Sequence, residues 1–547
     1  MLKFLRIPVI LIFLAVIPAV ITAPAFSQNA QTVQASPDTS ITQTYFLWLE
    51  MGKSAIPELK KAIKSENWRM QTHALLAMGQ TGDQTLTPLV LDCLINDPNP
   101  AVKNCAVMAL GDLKEESAVP MLINLLLRDS KITRIKPLPQ QRFIVQALGK
   151  IGDSRAVQPL FDLLLAVKNE QLKIKITDAL IAIEDPLVSR LILQNQTRAW
   201  QFSYVHAAKI LGVLPVDGTE DFLIGLMDKQ RFPVKNAAVI ALGKIKSRKS
   251  VPILLPLLQT DNLHFQKNIA DTLIVIDDPF AVNPLCDLLG HKVLEAGPDI
   301  AMTSARILSR MTDAGIAPEV YRRFKQDHGL NAPAAYILGQ KKFVQAKSVI
   351  RTRLKNSKES GQNEMAVALG WMEDRESIPL LIHVAKRENK RGSASAIWSL
   401  GHLKAAEAIS LLCTILKKQD RELTAPAIFA LGEIGGPSTV KSLIDLYYES
   451  GLQYQMQISL ALSAIGGPEV FEFIKTNMDS GHPKRQKMAG SMLLKSTDES
   501  LIPYAISLLN HPNESIRKYV QGGLKNITQK DFKTISEWNA WYKKQDK

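Results

Sequence analysis

The sequence predicts an all-α fold, an α-solenoid of about sixteen helical hairpins, on three observations. Segments starting at Ala106, Ile144, Ala238 and Ala427 share an apolar stripe ending in Ala-Leu-Gly, a short polar turn and a second apolar stripe. Apolar residues make up 46% of the chain and aromatic residues 6%, which suits closely packed helices. Ten of fifteen intervals between successive Gly slots are 31 residues, and such a period indicates units that bury their apolar faces by stacking. The slots lie at 48, 79, 111, 149, 181, 212, 243, 274, 309, 339, 370, 401, 432, 463, 494 and 525.

Residues 1–27 have the pattern of a signal peptide. Lys3 and Arg6 precede an apolar run at 7–21, and small residues follow at 23, 25 and 27. We therefore expect an exported protein, located in a periplasm if the cell has two membranes. The alternative is an uncleaved signal that anchors the chain to the inner membrane.

The rest of the chain divides into three parts. Residues 28–44 are polar and without periodicity, which predicts a disordered lead-in. Residues 45–528 form the repeats, beginning with a truncated first unit that has only a turn or two of first helix. Residues 529–547 contain Trp538 and Trp541 and are predicted to cap the last repeat.

Each unit shows two amphipathic helices, with apolar residues three and four apart. Ala two positions before the slot allows neighbouring helices to approach closely. Gly fills nine of the sixteen slots, where the first helix must end or touch a neighbour's backbone. Pro is frequent where the second helix begins, a position that tolerates it, as at Pro57, Pro88, Pro120, Pro159, Pro252, Pro379 and Pro503.

This pattern resembles the HEAT-repeat family, and in particular the bacterial HEAT-like repeats of phycobilisome lyases. The resemblance covers residues 45–528 and implies a right-handed α-solenoid of the armadillo type, with second helices along its inner surface. The tail is similar to a terminal segment of exported bacterial HEAT-repeat proteins. For activity the resemblance implies little.

Composition limits the partners. The formal charge is +14, or +12 once residues 1–27 with their two cations are removed. Export excludes nucleic acid, so the expected anionic partners are lipid headgroups, acidic polysaccharides and acidic proteins. Four cysteines form no disulfide framework. Cys93 and Cys105 lie on consecutive helices, where they are either buried thiols or a disulfide.

The sequence indicates no catalytic, cofactor-binding or metal-binding residues. Deoxyhypusine hydroxylases of this fold carry His-Glu pairs, whereas His73 and His206 are each followed by Ala. Phosphate-binding loops and nucleophile elbows are missing from the sequence as well. The second alternative is a lyase-type enzyme. Phycobilisome lyases act in the cytosol, so this alternative requires that the chain is not exported.

The candidate binding residues are basic. A stripe at the ends of consecutive second helices is read either as an anion-binding edge or as compensation of helix dipoles. An inserted loop before slot 149 is either a binding element or a tolerated insertion. The stripe comprises Arg351, Arg353, Lys355, Lys386, Arg387, Lys390, Arg391, Lys417 and Lys418, and the loop adds Lys131, Arg134 and Lys136. Trp200, Phe202 and Tyr204 form a further aromatic group, read as packing or as a partner contact.

We therefore expect a non-enzymatic, exported scaffold that binds a protein partner along the surface of the repeats. The alternative is a module that binds anionic envelope lipid or polysaccharide. Membrane contact is expected only through an uncleaved signal.

Overall fold

The computed structural model describes residues 37–130, 139–195, 203–228, 231–290, 299–356, 361–387, 392–418 and 420–545. Within these ranges the chain forms helices and turns and no strand. The prediction of an all-α repeat fold is confirmed. None of the helices described is long and apolar enough to cross a bilayer.

Sixteen first helices alternate in chain order with sixteen second helices in these ranges. The first helices are α1 (Pro37–Met51), α3 (Trp68–Thr81), α5 (Pro100–Asp112), α7 (Pro139–Ile151), α9 (Glu170–Ile183), α11 (Tyr204–Leu211), α13 (Phe232–Lys244), α15 (Leu263–Ile276), α17 (Ile300–Arg310), α19 (Asn331–Gln340), α21 (Gln362–Trp371), α23 (Ser393–His402), α25 (Thr424–Ile434), α27 (Leu452–Ile465), α29 (Pro483–Lys495) and α31 (Glu514–Thr528).

The second helices follow the first ones through short turns that often contain one turn of 3₁₀-helix. They are α2 (Ile56–Ala62), α4 (Thr87–Asn96), α6 (Val119–Ser130), α8 (Val157–Ala166), α10 (Leu187–Gln194), α12 (Thr219–Gly225), α14 (Val251–Leu257), α16 (Val282–Leu288), α18 (Ile316–Gln326), α20 (Lys347–Asn356), α22 (Ile378–Ala385), α24 (Ile409–Lys418), α26 (Pro437–Glu449), α28 (Pro468–Asp479), α30 (Ile502–Ser507) and α32 (Ile535–Tyr542).

The register predicted from the Gly slots is confirmed. Every slot falls in the last turn or at the C-cap of a first helix. Several first helices begin where an Asn side chain accepts a hydrogen bond from a backbone N–H of the first turn, as at Asn67, Asn99 and Asn262. Pro57 and Pro379 lie in the first turn of their second helices, as predicted.

The repeats group into two compact blocks, the N-terminal block Met1–Glu184 and the C-terminal block Asp185–Lys547. In the N-terminal block α1, α3, α5, α7 and α9 pack on one another in succession, and in the C-terminal block the same succession runs from α11 to α31 through the first helices. Within each block, second helices pack against the following first helix, so a layer of first helices has second helices alongside.

The slot glycines allow first helices to approach each other closely. A Cβ placed on Gly401 would lie 2.6 Å from the Cα of Ala430, and one on Gly111 would lie 2.8 Å from the Cα of Ala147. Each slot Gly therefore contacts the residue two positions before the next slot, which is Ala in most units, Thr272 beside Gly243 and Ser399 beside Gly370. Of the two roles that the sequence allows for the slot glycines, the helix contact is the one observed.

The turn after the first helix is made three residues beyond the slot. Lys114, Lys246, Lys342, Glu373 and Lys404 occupy this position and have φ between 49° and 53°. A residue in the left-handed backbone conformation commonly ends an α-helix and lets the chain turn away from it. Because this position holds Lys or Glu in many units, the composition gives no hint of its backbone conformation.

The two ends of the described chain carry tryptophans. Helix α1 begins at Pro37, inside the segment 28–44 whose composition predicts disorder, and its 15 residues exceed the predicted turn or two. Trp48 in α1 is 4% exposed and donates from Nε1 to Glu58 at 3.0 Å. Trp538 in α32 is 1% exposed, with ring centroids 4.9 Å from Phe532 and 5.9 Å from Trp541.

Candidate functional site: the second-helix face of α18 to α24

Four consecutive second helices of the C-terminal block, α18, α20, α22 and α24, present the same positions to solvent. The exposed positions have the spacing i, i+4 and i+7, which places them on one side of a helix. We call this surface the second-helix face. Its residues are Pro318, Arg322 and Lys325, then Ser348, Thr352 and Lys355, then Pro379, His383 and Lys386, and finally Ser410, Thr414 and Lys417.

The last position of each set is a lysine. Lys325, Lys355, Lys386 and Lys417 are all exposed and lie sixteen residues after slots 309, 339, 370 and 401. We call these four residues the lysine row. Lys418 adds a further exposed cation beside Lys417.

Within the described chain, lysines at this position in consecutive units occur in these four units alone. A lysine at a helix C-terminus is stabilised by the helix dipole, and this holds for every second helix alike. Most other units nevertheless have no base at this position, so the dipole alone does not account for the row. The equivalent residues in the described chain are Lys64, Ile95, Leu127, Leu165, Asp228, Gln259, Gly290, Tyr448, Asp479, Asn510 and Trp541.

The helices that carry the row are almost free of carboxylates. Helices α20, α22 and α24 contain no Asp or Glu. In α18, Glu319 accepts hydrogen bonds from Arg322 Nη2 and Arg323 Nε, both at 2.7 Å. Hydrogen bonds from Arg322 and Arg323 lower the pKa of Glu319 to about 2, so it stays ionised, and its charge is balanced by these two guanidiniums.

Arg353, predicted as a binding residue, is buried. It is 7% exposed, and its Nη1 donates to the Asp327 carbonyl at 3.0 Å and to Asn331 Oδ1 at 2.9 Å. Its Nη2 donates to the Phe324 carbonyl, and its guanidinium carbon lies 4.0 Å from the centre of the Phe324 ring. Burial lowers the pKa of Arg353. The guanidinium therefore joins adjacent units and is not available to a partner, because its N–H groups are already hydrogen-bonded to carbonyls at the end of α18.

Arg351 is partly exposed and forms ion pairs with the next unit. Its Nε lies 3.4 Å from Asp374 Oδ2, and its Nη1 donates to Glu376 in the next unit. The hydrogen bond to Glu376 raises the pKa of Arg351 and lowers that of Glu376. The prediction of an exposed stripe is wrong for Arg353, which is buried, whereas Arg351 stays partly exposed with its guanidinium paired to the next unit.

The remaining predicted binding residues divide by location. Lys355, Lys386, Lys417 and Lys418 are exposed, and Arg387 is half-buried. Lys325 completes the row and was missed, although its distance from slot 309 would have revealed it. Lys131, Arg134, Lys136, Lys390 and Arg391 lie outside the described residues.

The first helices carry a chain of aromatic contacts on a different surface. Tyr336 contacts Trp371 edge to face at 5.6 Å, and Trp371 contacts Trp398 in the same way at 6.4 Å. Trp398 stacks on His402 at 5.1 Å and on Phe429 at 6.3 Å. The Trp398 ring thus has aromatic neighbours in its own helix and in the next first helix. These contacts join first helices of successive units.

The predicted aromatic group lies only partly in the described chain. Tyr204 begins α11, and its ring centroid is 6.3 Å from that of Phe222. This contact joins α11 to α12 within one hairpin, which agrees with a packing role for Tyr204. Trp200 and Phe202 lie outside the described residues.

The four cysteines are free thiols. Cys93 and Cys105 are therefore unbonded, and burial raises the pKa of each to about 11. Burial raises the pKa of Cys286 to about 11 as well. These three thiols stay protonated near neutral pH, so they lack the thiolate that a nucleophile requires.

The histidines that invited comparison with a di-iron enzyme have structural contacts. His73 Nδ1 lies 2.7 Å from the Arg69 carbonyl, and its ring meets Tyr45 edge to face at 5.4 Å. His206 is 1% exposed in α11. Across the described residues, His, Cys, Asp and Glu form no group of three or more that could hold a metal ion.

A family model described as HEAT repeats matches residues 53–136, 219–297 and 381–462. Among solved structures, the chain is similar to yeast importin-β, Kap95p, at 14% identity, TM-score 0.39, over 94% of this chain and 89% of that one. Kap95p bound to RanGDP matches at 12% identity, TM-score 0.47, over 90% and 81%. Human deoxyhypusine hydroxylase matches at 14% identity, TM-score 0.20, over 53% and 99%. No characterised protein matches by sequence. At these identities and TM-scores, what those proteins bind or catalyse is not transferred to this chain.

Proposed function

Because this chain is a HEAT-repeat α-solenoid, we propose that it is a non-enzymatic scaffold that binds a protein partner along the second-helix face. We also propose that it works outside the inner membrane, since residues 1–27 have the pattern of a signal peptide. Its activity is then to hold a partner, through many modest contacts spread over successive units.

The observation that carries this proposal is the repeated exposure of equivalent residues. Four consecutive second helices expose the positions i, i+4 and i+7, and their side chains change from unit to unit at fixed spacing. A surface of this kind reads an extended partner in steps of one unit. The helices are held in place by inter-unit contacts such as those of Arg351 and Arg353, so little ordering is required on binding.

The side chains that could perform chemistry support a non-enzymatic role. Three of the four thiols have pKa values raised to about 11, and His73 is engaged with the backbone of its own helix. The exposed residues of the second-helix face are Lys, Arg, Thr, Ser, His383 and Pro. The face itself holds no carboxylate that could act as a base, and the neighbouring Glu319 pairs with Arg322 and Arg323.

Site-specific photo-crosslinking in the intact cell tests the proposal. A benzophenone amino acid placed at Thr352 or Thr414 projects from the second-helix face, since both positions are exposed. We expect each to give a discrete protein crosslink, identified by mass spectrometry. The matched controls are Gln340 in α19 and Glu433 in α25, which are exposed on first helices.

Two results would contradict the proposal. Crosslinks of equal yield from the second-helix sites and from the controls would mean that no face is preferred. Protein crosslinks from the first-helix sites alone would place the partner on the other surface.

The proposed location has its own test. If the signal is cleaved after the small residues at 23, 25 and 27, N-terminal sequencing of the purified protein begins close to residue 28. Fractionation of the cell would place this shortened chain outside the inner membrane. A chain that starts at Met1 and stays in the membrane fraction indicates the uncleaved anchor, and one that starts at Met1 in the cytosol excludes export.

A further inference from the structure

We infer that the lysine row binds an extended, acidic polypeptide segment of the partner. This inference rests on the proposed scaffold function and names the chemistry of what the scaffold recognises. It is carried by the charge, spacing and boundaries of Lys325, Lys355, Lys386 and Lys417.

The spacing of the row matches an extended chain. Packed helices lie about 8–10 Å apart, so four lysines in successive units span roughly 30 Å. A polypeptide in the extended polyproline II conformation advances about 3.1 Å per residue and has three residues per turn, so residues three apart lie on the same side. One lysine therefore corresponds to about three residues and the row to about ten. A segment with a carboxylate at every third position thus offers one acid to each lysine.

The residues beside the lysines suit a polypeptide backbone. Thr352 and Thr414 donate their hydroxyl protons to the carbonyls of Ser348 and Ser410, both at 2.9 Å. The hydroxyl oxygens keep lone pairs that can accept from a peptide N–H. The face therefore combines cations for carboxylates with acceptors for main-chain amides.

The same face is poorly suited to a membrane. Surfaces that bind anionic bilayers combine basic residues with exposed apolar side chains that enter the lipid. On α18, α20, α22 and α24 no large apolar side chain belongs to the exposed set, and the face carries hydroxyls and prolines between its cations.

The row also ends abruptly. The next second helix, α26, has Tyr448 at the equivalent position and carries Asp445 and Glu449, and α28 has Asp479 there. A flat anionic surface would meet these carboxylates and be repelled, whereas a segment of about ten residues would end before them. The limited length of the row therefore favours a polypeptide segment over a lipid surface.

Binding of a defined peptide to the full chain tests the inference. The probe is a fluorescein-labelled ten-residue peptide with Glu at positions 1, 4, 7 and 10 and Ser or Gly elsewhere, followed by fluorescence anisotropy. Four exposed ion pairs are lost in the variant K325Q/K355Q/K386Q/K417Q, so we expect its affinity to fall by about tenfold or more. Binding by the unaltered chain should weaken between low and physiological salt.

The matched control removes the same charge elsewhere. Lys244, Lys267, Lys475 and Lys487 are exposed lysines outside the row, and K244Q/K267Q/K475Q/K487Q lowers the net charge by the same four. We expect its affinity to stay within about twofold of the original, since surface charges beyond a Debye length are screened. Circular dichroism verifies that both variants keep their helix content.

Three outcomes would overturn the inference. One is equal weakening in both variants, which indicates attraction by net charge alone. Another is co-sedimentation with phosphatidylserine vesicles without binding to the peptide, which indicates a lipid surface. The third is an unchanged crosslink from Thr352 and Thr414 in the row variant, which leaves the scaffold proposal standing and excludes the lysines as its recognition element.

Discussion

Replacing Arg353 with alanine is expected to destabilise the C-terminal block, Asp185–Lys547, by about 3–5 kcal/mol. The guanidinium donates to Asp327, Asn331 and Phe324 and lies over the Phe324 ring while only 7% exposed. Its removal leaves buried carbonyls without donors and opens a cavity between α18 and α20. Hydrogen exchange should therefore rise first in the amides of these helices, and the urea midpoint followed by circular dichroism should fall.

Lys355→Ala is the matched control, because Lys355 lies two residues further along the same helix and is exposed. We expect a change within about 0.5 kcal/mol, as for ordinary surface substitutions. If Arg353→Ala and Lys355→Ala have the same urea midpoint, the buried role of Arg353 is wrong and its place in an exposed basic stripe must be reconsidered.

Replacing Gly401 with alanine is expected to destabilise the C-terminal block by about 2–3 kcal/mol through overpacking. The new Cβ would lie 2.6 Å from the Cα and 3.0 Å from the Cβ of Ala430. Both partners are backbone or the first side-chain atom, so a rotamer change cannot relieve the clash. Helices α23 and α25 would have to separate, which faster hydrogen exchange along both of them would reveal.

Gly225→Ala provides the control for this prediction. Gly225 also ends a helix, α12, but a Cβ placed there meets nothing within 4 Å and its backbone is not left-handed. Alanine is favoured over glycine in a helix by up to about 1 kcal/mol, so we expect unchanged or slightly higher stability. Equal destabilisation by Gly225→Ala and Gly401→Ala would mean that helix contact at the slot is not the reason for glycine.

The fold could be predicted almost entirely, because its signal is repeated. Helix type, the register of the slots and the small residues that face them are each read many times along the chain. The length of α1 was underestimated, because a single polar segment offers no repetition and Pro37 is an ordinary helix start.

The candidate site could be predicted only in part. Lys355, Lys386 and Lys417 are at the predicted place on the protein surface, since a lysine at a helix C-terminus needs no partner from another unit. Arg351 and Arg353 look equivalent to them in sequence, yet they are held by Glu376 and by the end of α18. Lys325 was missed because its helix also holds Glu319, Arg322 and Arg323, so no single basic position stands out there.

By itself the sequence determined which residues form first and second helices, the register that relates all units and the close approach at Gly and Ala positions. These properties follow from spacings within one unit and its neighbour, where helical periodicity makes the pattern legible. Only the tertiary structure decided which cations are exposed. The acceptors of Arg353 come from residues 22 to 29 positions earlier in the chain, and such a distance is bridged by packing between units and not by local pattern.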